Sequence, residues 1–168
     1  MSVAYAKALG INFRESWLIK DFEKVLNPYF KHGDAALFIP AGKYRYPRNL
    51  LNIDAYYLDK DERLLRDVDD EHKFIMDMFK ADKLIKRKFD VVVSDPPYNV
   101  PYHKRFMFLR TLANLAKRTI IVKWNIIPRF PDFELKEVYI YEGKRWWTYA
   151  SIITVFERKE RDGRDKRV

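Results

Sequence analysis

The chain has 168 residues, 48% of them hydrophobic, which is enough for one domain with a substantial core and too few for two. Its formal net charge of +9 favours polyanions, so nucleic acid is the first partner to consider, with a solvated basic surface as the alternative. There is no cysteine, no apolar run of membrane-spanning length and no signal-peptide pattern, so disulfides and thiolate zinc sites are excluded and a soluble, cytoplasmic protein without membrane contacts is expected.

The pattern predicts a single domain over residues 1–157, beginning with a loose lead-in at 1–12. Apolar residues recur every three or four positions between Phe13 and Phe30, which predicts a helix that covers one face of a sheet. Pro28 and the polar residues that follow end this helix. Glutamine is absent while Lys, Arg and Glu are abundant, a composition typical of proteins from hot environments.

Five short apolar or β-branched segments predict the strands of a sheet. In chain order they are 35–39, 50–54, 73–77, 89–93 and 119–123. The intervening segments are long enough for parallel crossovers, except the ten residues at 40–49, where the first helix is expected to be reduced or missing.

The remaining segments predict helices and a closing hairpin. Residues 61–70 predict a short amphipathic helix, 78–88 a polar helix or loop, and 106–117 a longer helix with its apolar residues on one side. Two alternating segments, 135–141 and 146–157, flank a Glu-Gly-Lys turn, which predicts an antiparallel hairpin. The charged tail at 158–168 has no apolar anchor and is expected to be disordered.

The segment Phe89–Asn99 reads FDVVVSDPPYN, and its character changes at the midpoint. The apolar half favours a buried strand, and the two prolines then end it in a rigid polar loop. Such a loop at the carboxyl end of a central strand lies where open α/β sheets bind ligands. It offers a carboxylate at Asp95, fixed carbonyls and the aromatic ring of Tyr98, which suit a planar base that carries an exocyclic amine.

Asp95-Pro96-Pro97-Tyr98, with this strand before it and Asn99 after it, resembles the catalytic motif of the S-adenosylmethionine-dependent amino-methyltransferases. The resemblance implies a Rossmann-like α/β methyltransferase sheet: mostly parallel, about seven strands, a closing antiparallel hairpin, and helices on both faces. It also implies catalytic roles for Asp95, Pro96, Pro97 and Tyr98. The alternative is that Asp-Pro-Pro only ends a strand at a surface turn.

The same resemblance implies that S-adenosylmethionine binds over the loop after the first strand, at Pro40, Ala41 and Gly42. A plain basic surface loop is the alternative interpretation, because Gly42 is the one glycine there. Asp54, at the end of the second predicted strand, is expected to accept hydrogen bonds from the cofactor ribose, with Asp59 in reserve. Asp77 is expected near the adenine amine of the cofactor, and no metal is implied.

The expected reaction is methyl transfer to an exocyclic base nitrogen, with adenine N6 in DNA favoured because the Asn99 extension resembles the DNA adenine enzymes. An RNA base amino-methyltransferase, and a non-catalytic nucleic-acid-binding protein derived from a methyltransferase, remain open alternatives. Sequence choice is expected to come from loops 40–49 and 99–105, from a homodimer, or from a recognition partner. Residues 100–104 are expected to form a mobile loop in which His103 is exposed.

Overall fold

A computed structural model describes residues 25–47, 52–97, 99–141 and 151–160. These residues form one seven-stranded sheet in the order β3-β2-β1-β4-β5-β7-β6. The first five strands are parallel, and β7 pairs antiparallel with both β5 and β6. The predicted fold class is therefore confirmed. The strands are β1 (Ala35–Phe38), β2 (Asp54–Asp59), β3 (Lys73–Ile75), β4 (Phe89–Ser94), β5 (Ala116–Trp124), β6 (Phe133–Tyr141) and β7 (Ser151–Arg158).

Helices occupy the crossovers after β3 and β4. A short α1 (Ala81–Leu84) precedes β4, and α2 (Tyr102–Leu115) connects β4 to β5. The prediction of a mobile loop at 100–104 is wrong, because α2 already begins at Tyr102. Pro101 is the N-cap residue of this helix, and its carbonyl accepts the Lys104 N–H at 2.9 Å. No described helix has the length and apolarity needed to cross a membrane.

The amphipathic helix expected at 61–70 is also wrong. Two short 3₁₀ helices replace it, Glu62–Leu65 and Asp70–His72. The carboxylate of Asp67 forms an ion pair with Arg45 of the loop after β1, at 2.7 Å, so the segment is held by tertiary contacts. Leu65, which is fully buried, anchors this segment to the sheet.

Apolar side chains cover both faces of the sheet. On one face, α1 and α2 pack over β4 and β5, and Phe89, Phe108 and Trp124 are fully buried there. The second face is covered by residues 25–30 and by the loop after β1, which buries Tyr46 against Phe30 and Phe38. Only the end of the helix predicted at 13–30 lies in the described residues, where residues 25–26 are helical and a 3₁₀ helix, Asn27–Tyr29, follows.

The second strand begins where it was expected to end. Residues 50–54 were predicted as a strand, but β2 starts at Asp54, which pairs with Ala35, the first residue of β1. The tyrosine pair of β2 sets this register, because Tyr57 is buried and stacks on Phe38 of β1 with ring centroids 5.3 Å apart. Residues 48–51 lie outside the described part of the chain.

The crossover from β1 to β2 contains no helix in its described residues, 39–47 and 52–53, as its length predicted. Arg45 fixes the loop instead. Its guanidinium donates to the carbonyl of Tyr44 at 2.6 Å and to both carboxylate oxygens of Asp67, at 2.7 and 2.9 Å. The loop is therefore tied to the segment that follows β2.

An ion pair joins the amino-terminal ends of β1 and β5. The guanidinium of Arg118 contacts both carboxylate oxygens of Asp34, at 3.1 and 2.5 Å, and the Lys31 N–H donates to the same carboxylate at 2.7 Å. Burial raises the pKa of Asp34, but the Arg118 and Lys31 hydrogen bonds outweigh it and hold that pKa below its ordinary value.

The last strand continues further than expected. Arg158, which was assigned to the disordered tail, ends β7, and its guanidinium donates to the carbonyl of Ala116 at 2.6 Å and covers the ring of Phe133. The planar guanidinium satisfies carbonyls at the end of α2, so β7 extends past Glu157. Residues 142–150, which include the predicted Glu-Gly-Lys turn, and residues 161–168 lie outside the described part of the chain.

Candidate active site

Loops from neighbouring parallel strands meet at the carboxyl edge of the sheet. Phe38, the last residue of β1, pairs with Tyr57 of β2 and with Val93 of β4. Two positions later in each chain segment stand Pro40, Asp59 and Asp95. Asp59 is the last residue of β2, while Pro40 and Asp95 follow the ends of β1 and β4, so all three lie at the carboxyl edge of the sheet.

The strand order of the sheet reverses between β1 and β4. From β1 the chain proceeds outward to β2 and β3, and β4 and β5 then lie on the other side of β1. Ligands of open α/β sheets bind in the crevice at such a switch point. Asp59 and Asp95 stand on either side of β1, two strand spacings apart, which is roughly 10 Å.

Asp95 forms an ion pair with Lys123 at the end of β5. The ammonium nitrogen of Lys123 lies 3.1 Å from Oδ2 of Asp95, and the lysine side chain is 16% exposed while that of Asp95 is 47% exposed. The pair follows from the register, since Ser94 pairs with Val122 immediately before it. Asp95 thus presents a carboxylate to solvent while the less exposed lysine holds it from one side.

The residues before Asp95 are fixed to β1. The hydroxyl of Ser94, which is 1% exposed, donates to the carbonyl of Ile39 at 2.6 Å, and the Ile39 N–H donates to the Val93 carbonyl at 2.9 Å. A buried hydroxyl bonded in this way sets the distance between the two loops. The position of Asp95 is therefore determined by both strands at the switch point.

The loop after β1 is closed by Asp59. Gly42 adopts a left-handed conformation, with φ of +52°, and its N–H donates to Oδ2 of Asp59 at 2.9 Å. The other oxygen of Asp59 accepts the Asp61 N–H at 3.0 Å, and the residue is 7% exposed. A Cβ built on Gly42 meets no atom within 4 Å, so the glycine is required by backbone conformation and leaves open space above it.

Ala41 completes this loop. It is 5% exposed, its N–H donates to the Leu58 carbonyl at 2.7 Å, and its carbonyl accepts the Tyr44 N–H at 3.0 Å. The predicted residues Pro40, Ala41 and Gly42 are therefore brought to the carboxyl edge, next to Asp59 and across from Asp95.

The two other predicted acids lie at different places. Asp77 follows β3 at the carboxyl edge, where its Oδ1 accepts the Phe79 N–H at 3.0 Å. Asp54 begins β2 and so lies at the amino edge, away from the other site residues. There it contacts His72 at 2.9 Å and accepts the Tyr56 hydroxyl at 2.7 Å. Its displacement follows directly from the register of β2.

The surroundings of Asp54 form a cavity of about 640 Å³, lined by residues that include Arg45, Asp54 and His72. Burial and the Asp54 hydrogen bond raise the pKa of the neighbouring Tyr56 hydroxyl, against the opposing effect of Arg87. Neither Asp59 nor Asp95 lines this cavity.

The Asp-Pro-Pro loop itself is partly described. Pro96 is buried and Pro97 exposed, and the carbonyl of Pro97 accepts the Val100 N–H at 3.4 Å. Tyr98 lies outside the described residues, so its proposed contact with a base stays a prediction. His103, expected in a loop, is an exposed residue of α2.

Two residues at this edge were not given their place by the sequence. Asp59 was predicted only as the reserve for Asp54, and Lys123 was not predicted as a site residue. The sequence signal for each is a charged residue that directly follows an apolar strand, as in Tyr-Tyr-Leu-Asp and Ile-Ile-Val-Lys. For Lys123 the apolar strand was identified, but its partner depends on the β4–β5 register.

Solved structures with the same fold include several methyltransferases. TrmN from Thermus thermophilus shares 15% identity with a TM-score of 0.58, covering 82% of this chain and 48% of that chain, so this chain spans about half of it. An rRNA methylase from Streptococcus thermophilus shares 10% identity with a TM-score of 0.58, covering 83% of this chain and 95% of that one.

A third structure is the magnesium protoporphyrin IX methyltransferase ChlM of Synechocystis PCC 6803, which was solved with bound S-adenosylmethionine. It shares 14% identity with this chain at a TM-score of 0.58, and the match covers 80% of this chain and 74% of ChlM. No protein-family model matches the sequence, and no curated protein matches it significantly. At these identities the likeness is one of fold: the sheet described above has the Rossmann-like fold of these methyltransferase structures.

Proposed function

We propose that this chain is an S-adenosylmethionine-dependent methyltransferase that modifies an exocyclic amine of a nucleic-acid base, with adenine N6 in DNA as the first candidate. The observation that carries the proposal is the placement of Asp95 at the switch point of this sheet, at the same carboxyl edge as Pro40 and Asp59.

The described residues fit the methyl donor. Asp59 is the acid at the end of β2, and each of its carboxylate oxygens has accepted one backbone N–H, which leaves each with acceptor capacity for a ribose hydroxyl. Open space above Gly42 admits a ligand close to the backbone. Asp59 therefore takes the role first assigned to Asp54, and Asp77 stands at the same edge, two residues after β3.

When bound there, S-adenosylmethionine supplies an electrophilic methyl group. Asp95 and the Pro96 carbonyl accept the two hydrogens of the target amine, which directs its lone pair toward that methyl group. The amine nitrogen would form its bond to the methyl carbon as the carbon–sulfur bond of the donor breaks, which leaves S-adenosylhomocysteine, and one amine proton would then pass to solvent, so no dedicated base is needed. The ion pair with Lys123 holds one oxygen of the Asp95 carboxylate in place.

The protein must receive a base that is unpaired or turned out of its stack, because an amine within a duplex cannot enter a pocket at the sheet edge. The net charge of +9 supports a polyanionic substrate. RNA is the second candidate, favoured by the fold similarity to an rRNA methylase.

The test is transfer of a tritiated methyl group from S-adenosylmethionine to separate DNA and RNA pools, followed by nucleoside analysis. The proposal predicts label in an N-methylated nucleoside, with N6-methyladenosine or its deoxy form expected first. Calorimetry with S-adenosylmethionine separates a non-catalytic nucleic-acid-binding protein, which would show no heat of binding and no transfer.

A further inference from the structure

The outward face of α2 carries an exposed row of side chains. Tyr102 is 87% exposed and Phe106 is 73% exposed, the two highest values among the described large hydrophobic residues. Arg110, also exposed, stands four residues further along. Positions four apart share a helix face, so Tyr102, Phe106 and Arg110 form one continuous row, which we call the α2 ridge.

The ridge points away from the protein core. The buried residues of α2 are Phe108, Thr111, Leu112 and Leu115, which pack on the opposite side of the helix against the sheet. Successive members of the ridge are separated by about 6 Å along the helix axis. Exposure of two large aromatic rings in such a row is unfavourable in water unless a partner covers them.

The charge of α2 indicates the chemistry of that partner. The helix reads YHKRFMFLRTLANL, which contains Lys104, Arg105 and Arg110 and no carboxylate. Of these, Arg110 lies on the ridge, and the exposed His103 is close to it around the helix, whereas the ammonium group of Lys104 lies over the ring of Phe79 on another side of the helix. Aromatic rings interleaved with cations suit a single-stranded nucleic acid, whose bases stack on the rings while its phosphates contact the cations.

The position of the ridge relates it to the proposed active site. α2 leaves the Asp-Pro-Pro loop at the carboxyl edge of the sheet and crosses toward the amino-terminal start of β5. Tyr102 is therefore the ridge residue nearest Asp95, and Phe106 and Arg110 lie progressively further from it. A strand that delivers one base to Asp95 would pass its neighbouring nucleotides along this helix.

We infer that the α2 ridge binds the nucleotides that flank the target base, by stacking them on Tyr102 and Phe106 and pairing a phosphate with Arg110. This inference rests on the proposed function for its choice of substrate. The surface would supply binding energy from parts of the substrate that do not react, in a chain whose described residues include no separate recognition domain.

The test measures binding of fluorescein-labelled single-stranded DNA and RNA 12-mers by anisotropy. Tyr102→Ala/Phe106→Ala is expected to bind at least about tenfold more weakly than the unmodified protein. Leu135→Ala, which removes a 41% exposed side chain from β6, is the matched control and should bind normally. Equal affinity of the double variant and the control for both oligonucleotides would overturn the inference.

A second variant separates the cationic part. The affinity falls as salt rises, and Arg110→Gln should make the negative slope of log affinity against log salt shallower by about 0.7. The aromatic double variant should leave that slope unchanged. An unchanged slope in Arg110→Gln would remove the phosphate contact from the inference. A second copy of the chain could instead cover the ridge. If the protein dimerises with increasing concentration, the double variant does not, and oligonucleotide affinity is the same in both, the nucleic-acid inference is contradicted.

The same measurements distinguish this inference from the proposed function. If no methyl transfer is found but the double variant still loses oligonucleotide affinity, the ridge stands and the proposed reaction fails. If transfer is found but the double variant binds and turns over normally, the reaction stands and the ridge fails.

Discussion

The ammonium nitrogen of Lys123 lies 3.1 Å from Oδ2 of Asp95, across the β4–β5 boundary at the carboxyl edge of the sheet. The contact brings together the acid of the Asp-Pro-Pro loop and a cation from the neighbouring strand. It fixes one oxygen of the carboxylate, and the Asp95 side chain remains about half exposed.

Lys123→Met should therefore lower kcat/KM for methyl transfer by about 10- to 100-fold, because the carboxylate loses its orientation toward the target amine. The affinity for S-adenosylmethionine should stay unchanged. Lys136→Met is the matched control, since Lys136 forms a similar ion pair with Glu134 at 2.6 Å on β6. Equal activity of the two variants would show that Lys123 has no role in positioning Asp95.

Asp59→Asn should weaken binding of S-adenosylmethionine by about 1–3 kcal/mol, because the carboxylate closes the Gly42 loop and is the proposed acceptor for the cofactor ribose. Asp54→Asn is the control on the same strand. It alters the amino edge and should leave the affinity for the cofactor unchanged, as calorimetry would measure. Weaker binding in Asp54→Asn and normal binding in Asp59→Asn would reverse the assignment.

Gly42→Ala should lower the free energy of unfolding by about 1–2 kcal/mol, because φ at this position is +52° and the added Cβ meets no atom. Gly33→Ala, at φ of +81° and likewise without a close neighbour, should cost a similar amount. Denaturant titration gives both values. Only Gly42→Ala should also weaken cofactor binding, and an equal effect of both variants on that affinity would argue against a cofactor at this loop.

Asp34→Asn should destabilise the protein at pH 7 by about 1–3 kcal/mol, because it breaks the hydrogen bonds to Arg118. The pKa of Asp34 is lowered in the folded protein, so the ion pair stabilises the fold above the ordinary aspartate pKa. That stabilisation is lost as the pH falls through the lowered value. Asp34→Asn should therefore lose less stability than the unmodified protein between pH 5 and pH 2, about the acid range of such a group. Parallel acid profiles would show that this pair does not set the acid sensitivity.

Much of the sheet follows from local sequence. β1, β4 and β5 are short apolar runs bounded by polar or proline residues, and each was predicted to within a few residues, with β5 three residues longer at its start. The end of β4 at Ser94, directly before Asp95, also follows from sequence, because two prolines cannot continue a ladder. These features are sufficient to place the acid of the Asp-Pro-Pro loop at an edge of the sheet.

Register between strands does not follow from local sequence, and the errors at the site come from it. The aspartates at 54 and 59 are equally plausible strand ends in the sequence, and the stacking of Tyr57 on Phe38 decides which one reaches the carboxyl edge. The Lys123–Asp95 pair likewise depends on two residues 28 positions apart becoming neighbours. Tertiary packing alone supplies that information.

The most direct test of the central claim is methyl transfer by Asp95→Ala, measured with tritiated S-adenosylmethionine and a nucleic-acid substrate that the unmodified protein labels. We predict that transfer falls by at least about a hundredfold while calorimetry still detects the cofactor at normal affinity and the unfolding transition is unchanged. Retained incorporation of tritium into the base by Asp95→Ala would contradict the account, because the amine would then react without the carboxylate at the switch point.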